Sequence, residues 1–216
     1  MFQEYIPTFY YFNHFVNWNK DFKILDFGSN SGNLLRSNPG IIDHNRYTGI
    51  DVDHEAIIEG QQMFPNANWC SYNRHNPVYN FSGDNSLPDL KDNYDLILSY
   101  SVFSHTSLED MLELVDYLYS LLNANGKLYF SFCNINNKNC VEWFRNRRID
   151  CDEIPYSNLI YLVNNKISYN FPKVQCEHFV AFYDPDYLCD KLKKFQPKIN
   201  PAPNDWIQDC VEISKS

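Results

Sequence analysis

The 216-residue sequence is 44% hydrophobic and 17% aromatic, which supplies apolar material for a packed core and excludes intrinsic disorder. Eighteen basic against 27 acidic residues leave a net charge of −9, which disfavours a protein that tracks nucleic-acid phosphates. At this length one domain with room for one insertion is expected, not two full domains.

No window approaches the roughly 18 consecutive apolar residues of a membrane span. The apolar start MFQEYIPTFYYFNHF has no basic n-region and carries Glu4, Asn13 and His14, unlike a signal peptide. None of the seven cysteines sits at CxxC spacing, so they read as free, mostly buried thiols of a cytoplasmic protein, and no metal is expected.

Tyr5 through Val16 predicts a leading helix with Phe9, Phe12 and Val16 along one side. From about 22 to 132, short apolar runs alternate with helix-period segments, the pattern of βαβ units in a parallel sheet. A strand over 22–27 ends at Gly28. A helix through Leu34 and Leu35 follows, until Asn38-Pro39-Gly40 breaks it. Strand 47–50, helix 55–63 and a strand near 68–72 come next. The run 94–99 is nearly all apolar, as a strand buried on both faces is. A helical stripe from Leu108 to Leu122 ends at Asn125-Gly126 and leads into strand 127–132. Residues 133–180 are polar, aromatic and irregular, too long for a plain loop, and are expected to form a local cap. Asp184-Pro185-Asp186 starts a helix running to Phe195, and 206–214 reads as a terminal strand.

The strongest constellation is Asp26-Phe27-Gly28-Ser29-Asn30-Ser31-Gly32, a glycine-bearing turn between a strand and a helix. A ligand can lie against backbone amides only where no side chain intervenes. Nineteen residues after Gly32, at the end of the second strand, stands Asp51, placed to accept from both hydroxyls of a ribose. The spacing is not G-x-G-x-x-G and no G-K-[ST] occurs, so a pyrophosphate site and a P-loop are both excluded. A nucleoside ligand without a pyrophosphate remains. Asp53 reads as the cap of the next helix.

These residues resemble the class I S-adenosylmethionine-dependent methyltransferases, in order through about 22–132. Asp26-Phe-Gly28-Ser-Asn30-Ser-Gly32 is similar to the family's acidic-x-G-x-G-x-G motif, with Asn30 in place of the middle glycine. Gly49-Ile-Asp51 is similar to its ribose-binding motif, and Cys70-Ser-Tyr72-Asn73 stands where an acidic residue usually meets the adenine amino group. Tyr94-Asp95-Leu-Ile-Leu-Ser99 with His105 resembles the fourth-strand motif, and residues 206–213 the last, antiparallel strand.

The resemblance implies a Rossmann-like α/β fold: a seven-stranded, mostly parallel sheet with an antiparallel edge strand, plus a cap insertion. Residues 1–20 would form an N-terminal helix or lid, 22–132 the cofactor-binding core, 133–180 the substrate cap, and 181–216 the final helix and strands of a single domain. It also implies S-adenosyl-L-methionine as cofactor, held by Asp26, Phe27, Gly28, Ser29, Asn30 and Gly32, by Asp51, Val52, Tyr72 and Asn73, and by Ser99 and Tyr100. His105, just past the fourth strand, is the candidate general base, with a structural histidine at a helix start as the alternative. Tyr11, His14, Arg147 and His178 are the candidate acceptor contacts. The aromatic stripe around Tyr11 equally suits core packing, and the arginines near 147 equally suit a solvated surface. The expected reaction is methyl transfer to an oxygen or nitrogen of a small molecule. A methyltransferase of protein or tRNA and a non-catalytic cofactor-binding module are the alternatives.

Overall fold

The computed structural model describes residues 6–76, 79–147, 151–156, 159–164, 179–203 and 206–216. Helix α1 (Thr8–Phe12) is shorter than the periodicity predicts: Pro7 precedes it, and the chain turns at Asn13, whose backbone N–H reaches Phe9 O at 2.8 Å. Strand β1 (Ile24–Phe27), helix α2 (Asn33–Ser37) and β2 (Tyr47–Asp51) follow. Helix α2 stops where Asn38 Oδ1 accepts from the amides of Gly40, Ile41 and Ile42, a local alternative to a further helical turn. Asp53 caps α3 (His54–Met63) by accepting from the Glu55 and Ala56 amides at 3.1 Å each, which is the role read for it above.

After β3 (Asn68–Ser71) comes a hairpin that the sequence pattern does not announce, β4 (Arg74–Asn76) with β5 (Asn80–Asn85). Its strands are polar and largely solvated, so no apolar alternation marks them. Then come β6 (Tyr94–Ser99), a 3-10 turn over Phe103–His105, α4 (Leu108–Ser120) capped by Ser107, and the long β7 (Leu122–Asn134). The region expected to form a local cap contains helix α5 (Lys138–Arg147) and strands β8 (Cys151–Tyr156), β9 (Leu159–Asn164) and β10 (Phe179–Tyr183). The chain closes with α6 (Pro185–Lys191), β11 (Lys198–Asn200) and β12 (Asp209–Ser214).

The main sheet runs β3-β2-β1-β6-β7, all parallel, followed by β12 antiparallel to β7 and β11 antiparallel to β12. These are the seven strands of a Rossmann-like sheet with its antiparallel edge. The β8-β9-β10 sheet joins it where β10 pairs with Cys133 and Asn134 at the far end of β7. Strand alternation divides the core between two faces. Leu25, Phe27, Ile97, Phe130 and Val211 pack with α4 and α6, while Ile24, Leu96, Leu98 and Cys210 pack with α1 and α2.

Beside the turn after β1, one tryptophan fixes three elements together. Trp69 on β3 lies over Gly32, Gly49 and Gly60, so that a Cβ at these positions would come within 2.9, 2.5 and 2.6 Å of its ring. Its Nε1 donates to Phe64 O at 3.2 Å.

Candidate active site

In an open α/β sheet a ligand binds outside the carboxyl ends of the strands, where the strand order reverses. Here β1 stands between β2 and β6, and a cleft of about 1290 Å³ opens at those ends. Asp26, Gly28, Ser29, Asn30, Asp51 and Val52 line it, and so do Tyr72, Tyr100 and His105.

The turn after β1 is built for close approach. Gly28 adopts φ +78°, and its N–H and that of Ser29 donate to Ile50 O at 2.8 and 3.0 Å, tying the turn to β2. Asn30 stands at φ +51°, the left-handed region that asparagine tolerates better than other side-chain-bearing residues, so it does the conformational work of the glycine it replaces. The Asn30 N–H donates to Asp51 Oδ2 at 2.8 Å, and the Asp53 N–H donates to Oδ1 at 3.0 Å. A carboxylate has about four acceptor sites, so these two amides orient Asp51 and leave capacity for a ligand's hydroxyls.

Four residues expected at the cofactor do not line the cleft. The Phe27 side chain is fully buried, packed beside Phe103. Gly32 serves instead as the left-handed N-cap of α2. Ser99 is fully buried, its Oγ without a partner among the described residues. Asn73 faces an adjoining depression with Asp53, His54 and Asn80.

Two acceptor contacts are corrected. Tyr11 is fully buried: its hydroxyl donates to Gln208 O at 3.1 Å and its ring packs on Tyr100 and Trp206, because the short α1 turns its aromatic stripe into the core. His14 lies beyond the end of α1, is exposed, and does not line the cleft. Arg147 ends α5, its side chain lying outside the described residues, and His178 lies outside them altogether.

Asp26 is buried, and this pushes its carboxyl up to about 7; the nearby Asp51 charge adds to the rise, while the Tyr47 hydroxyl, donating to Oδ2 at 2.7 Å, opposes it. Burial also raises the Asp51 carboxyl, against the amides that stabilise its charge. Between pH 4 and 7 folded Asp26 retains a proton that the unfolded chain has released, so stability falls as pH rises through that window and the full penalty applies above it. Asp26→Asn is expected to stabilise the ligand-free protein by roughly 2–4 kcal/mol at pH 8 and by little at pH 4.5. Urea unfolding at the two pH values checks this; a difference independent of pH would show that Asp26 is not the titrating group.

The structure adds residues that the sequence did not single out. Arg74, 5% exposed, pairs with Asp110 at 2.5 Å and Glu113 at 2.6 Å, fastening the β4–β5 hairpin to α4 along the cleft rim. At the tips of β6, β7 and β12, the Ser101 N–H donates to Ser131 Oγ at 2.7 Å. The Ser131 hydroxyl donates to Gln208 Oε1 at 2.7 Å, and Gln208 Nε2 donates to Ser101 Oγ at 2.9 Å. This net holds Ser101 at φ +59° beneath the cleft. Single serines and an arginine in a polar stretch have no sequence signature, and only the fold brings them together.

The glycine turn, the carboxylate at the end of β2 and the switch-point cleft define a Rossmann-like protein with a ligand site at the carboxyl ends of its strands. Residues 25–128 match the family model of the methyltransferase domain. Among solved structures, a S-adenosylmethionine-dependent methyltransferase from Methanosarcina mazei superposes with a TM-score of 0.60 at 14% identity, covering 99% of each chain. The glycopeptide N-methyltransferase MtfA complexed with S-adenosyl-L-methionine gives 0.62 at 12% identity, over 100% of this chain and 96% of that one. Magnesium protoporphyrin IX methyltransferase from Synechocystis with bound S-adenosylhomocysteine gives 0.57 at 13%, over 97% and 80%. No curated protein matches the chain by sequence. Residues 25–128 form the methyltransferase domain of a S-adenosylmethionine-dependent enzyme. The residues fit that cofactor: Gly28 presents bare backbone, Asp51 stands at the end of β2, and Asp26 and Asp51 suit a cationic sulfonium.

Proposed function

We propose that the enzyme methylates an oxygen or nitrogen of a small-molecule acceptor in the cytoplasm, with residues 133–180 as its acceptor-side cap. The observation that carries this reading is the size and reach of the cleft. At about 1290 Å³ it exceeds the roughly 300–1,000 Å³ of a single-ligand pocket, and it extends from the cofactor turn past β6 to α5 and the segment before β12. When bound, S-adenosylmethionine would supply a methyl carbon activated by the adjoining sulfonium, with S-adenosylhomocysteine as the leaving group when the carbon–sulfur bond breaks.

The chain's own residues orient and exclude water. Asp51 would hold the ribose, Val52 and Tyr72 would hold the base, and Asp26 would meet the cofactor's positive charge, all four lining the cleft. His105 lines the cleft just past β6 and accepts the proton that the acceptor loses. Calorimetry with S-adenosylmethionine and S-adenosylhomocysteine, followed by a methyl-transfer assay over metabolite pools, tests the proposal. Transfer only to protein or tRNA would overturn the small-molecule assignment, and binding without transfer would overturn catalysis.

In the same calorimetric assay Asp51→Ala is expected to weaken cofactor binding by roughly 1.5–3 kcal/mol, the scale of a hydrogen bond to a charged group. Unchanged affinity in a folded variant would place the ribose elsewhere.

A further inference from the structure

The cleft is chemically divided along the strand order. Apart from Asp26 and Asp51 at the ends of β1 and β2, the charged side chains among the described lining, Arg74, Asp84, Glu109, Asp110 and Glu113, sit on the β4–β5 hairpin and α4. Toward β12 the described lining is aromatic and uncharged: Tyr100 after β6, Trp143 and Phe144 on α5, and Trp206 ahead of β12.

These rings are held in place. Tyr100 and Trp206 meet edge to face at 5.6 Å, and buried Tyr11 packs against both, at 4.8 and 5.2 Å. Phe144 is anchored on Phe182 at 5.7 Å and carries Trp143 against it at 4.7 Å, leaving Trp143 36% exposed. Burial raises the Tyr100 hydroxyl above its ordinary range, so it stays neutral. Among the described lining residues at this end the one side-chain amide, Gln208, spends both its Oε1 and its Nε2 on the serines beneath it. A charged acceptor would therefore lose its hydration here without gaining a described partner. A flat ring meets preset aromatic faces and edges, which reward it beyond the area it buries.

The proposed base narrows the class further. A phenolic hydroxyl, near 10, gives its proton to a neutral base far more readily than an alkyl hydroxyl, close to water at about 15.7. Resting on the functional reading above, we infer that the acceptor is an uncharged, planar aromatic small molecule carrying a phenolic hydroxyl, seated against Tyr100, Trp143 and Trp206.

The test is calorimetry on the full chain saturated with S-adenosylhomocysteine, titrated with 2-naphthol and with its saturated counterpart decahydro-2-naphthol. The naphthol is expected to bind at least about tenfold tighter. Trp143→Ala should lose about tenfold of that affinity, and Trp143→Phe should restore most of it, with S-adenosylhomocysteine affinity unchanged in both. Equal binding of the two probes, or naphthol binding by Trp143→Ala at wild-type strength, would overturn the inference alone. Failure of the wild type to bind S-adenosylhomocysteine would overturn the functional reading and this inference with it.

Discussion

Alanine at position 105 is expected to lower the methyl-transfer rate by roughly 10²–10⁴, the range of a general base, while cofactor affinity stays nearly unchanged. His105 closes a 3-10 turn directly after β6, its backbone N–H donating to Val102 O at 2.9 Å, and it lines the cleft next to Thr106 and Val102. The turn is held by Phe103 and Ser104, both buried, so truncating the imidazole leaves the backbone supported. A base works only when unprotonated. His105→Gln preserves hydrogen bonding without proton transfer, so it should be as slow as the alanine variant. Near-normal turnover by a folded, cofactor-binding His105→Ala enzyme would reject the base assignment and leave the family membership intact.

Gly28→Val is expected to abolish detectable cofactor binding and also to lower stability. Sequence reasoning alone asks only that the added side chain occupy ligand space. In the folded protein a Cβ at Gly28 would come within 2.1 Å of Val102 Cγ2, and the residue sits at φ +78°. A β-branched side chain there is a conformational outlier, costing on the order of 1–2 kcal/mol before any clash is counted. Adding Val102→Ala removes the colliding methyl and should recover part of the melting temperature without recovering binding. That pair of measurements separates strain from occlusion, and tight binding by Gly28→Val would remove the backbone approach from the site.

The cofactor half of the molecule is legible in the sequence because its requirements are local. A buried parallel strand needs an apolar run, a close approach needs glycine or asparagine at positive φ, and a ribose needs a carboxylate at the end of the next strand. Asp26, Gly28, Asn30 and Asp51 satisfy these within one βαβ unit. The β12 side of the cleft is assembled from distant segments, so its pattern is illegible. Trp206 meets Tyr100 and Tyr11 across the sheet, and the polar net needs Ser101, Ser131 and Gln208 from three strand ends. Tyr11 misled for the opposite reason, since an aromatic stripe looks the same whether it faces a ligand or a core; His14 misled because α1 ends before it and leaves it exposed. The β4–β5 hairpin escaped because its fixing contact is an arginine to a helix 36 and 39 residues away.

The indole of Trp69 has a consequence for how this sequence can drift over generations. It occupies the space that side chains at Gly32, Gly49 and Gly60 would need, on three separate elements. No one of these glycines can acquire a methyl group while the indole stays where it is. Shrinking the indole first would open a void facing all three at once, at the few kcal/mol that truncating a large aromatic side chain costs. Gly49 and Gly60 are free to change only after position 69 has become small, whereas Gly32, at φ +90°, stays constrained by its own backbone even then. Lineages that have lost the tryptophan should therefore carry alanine or serine at 49 or 60, and those that keep it should not. The four positions form an ordered set of substitutions, with the tryptophan as the gate.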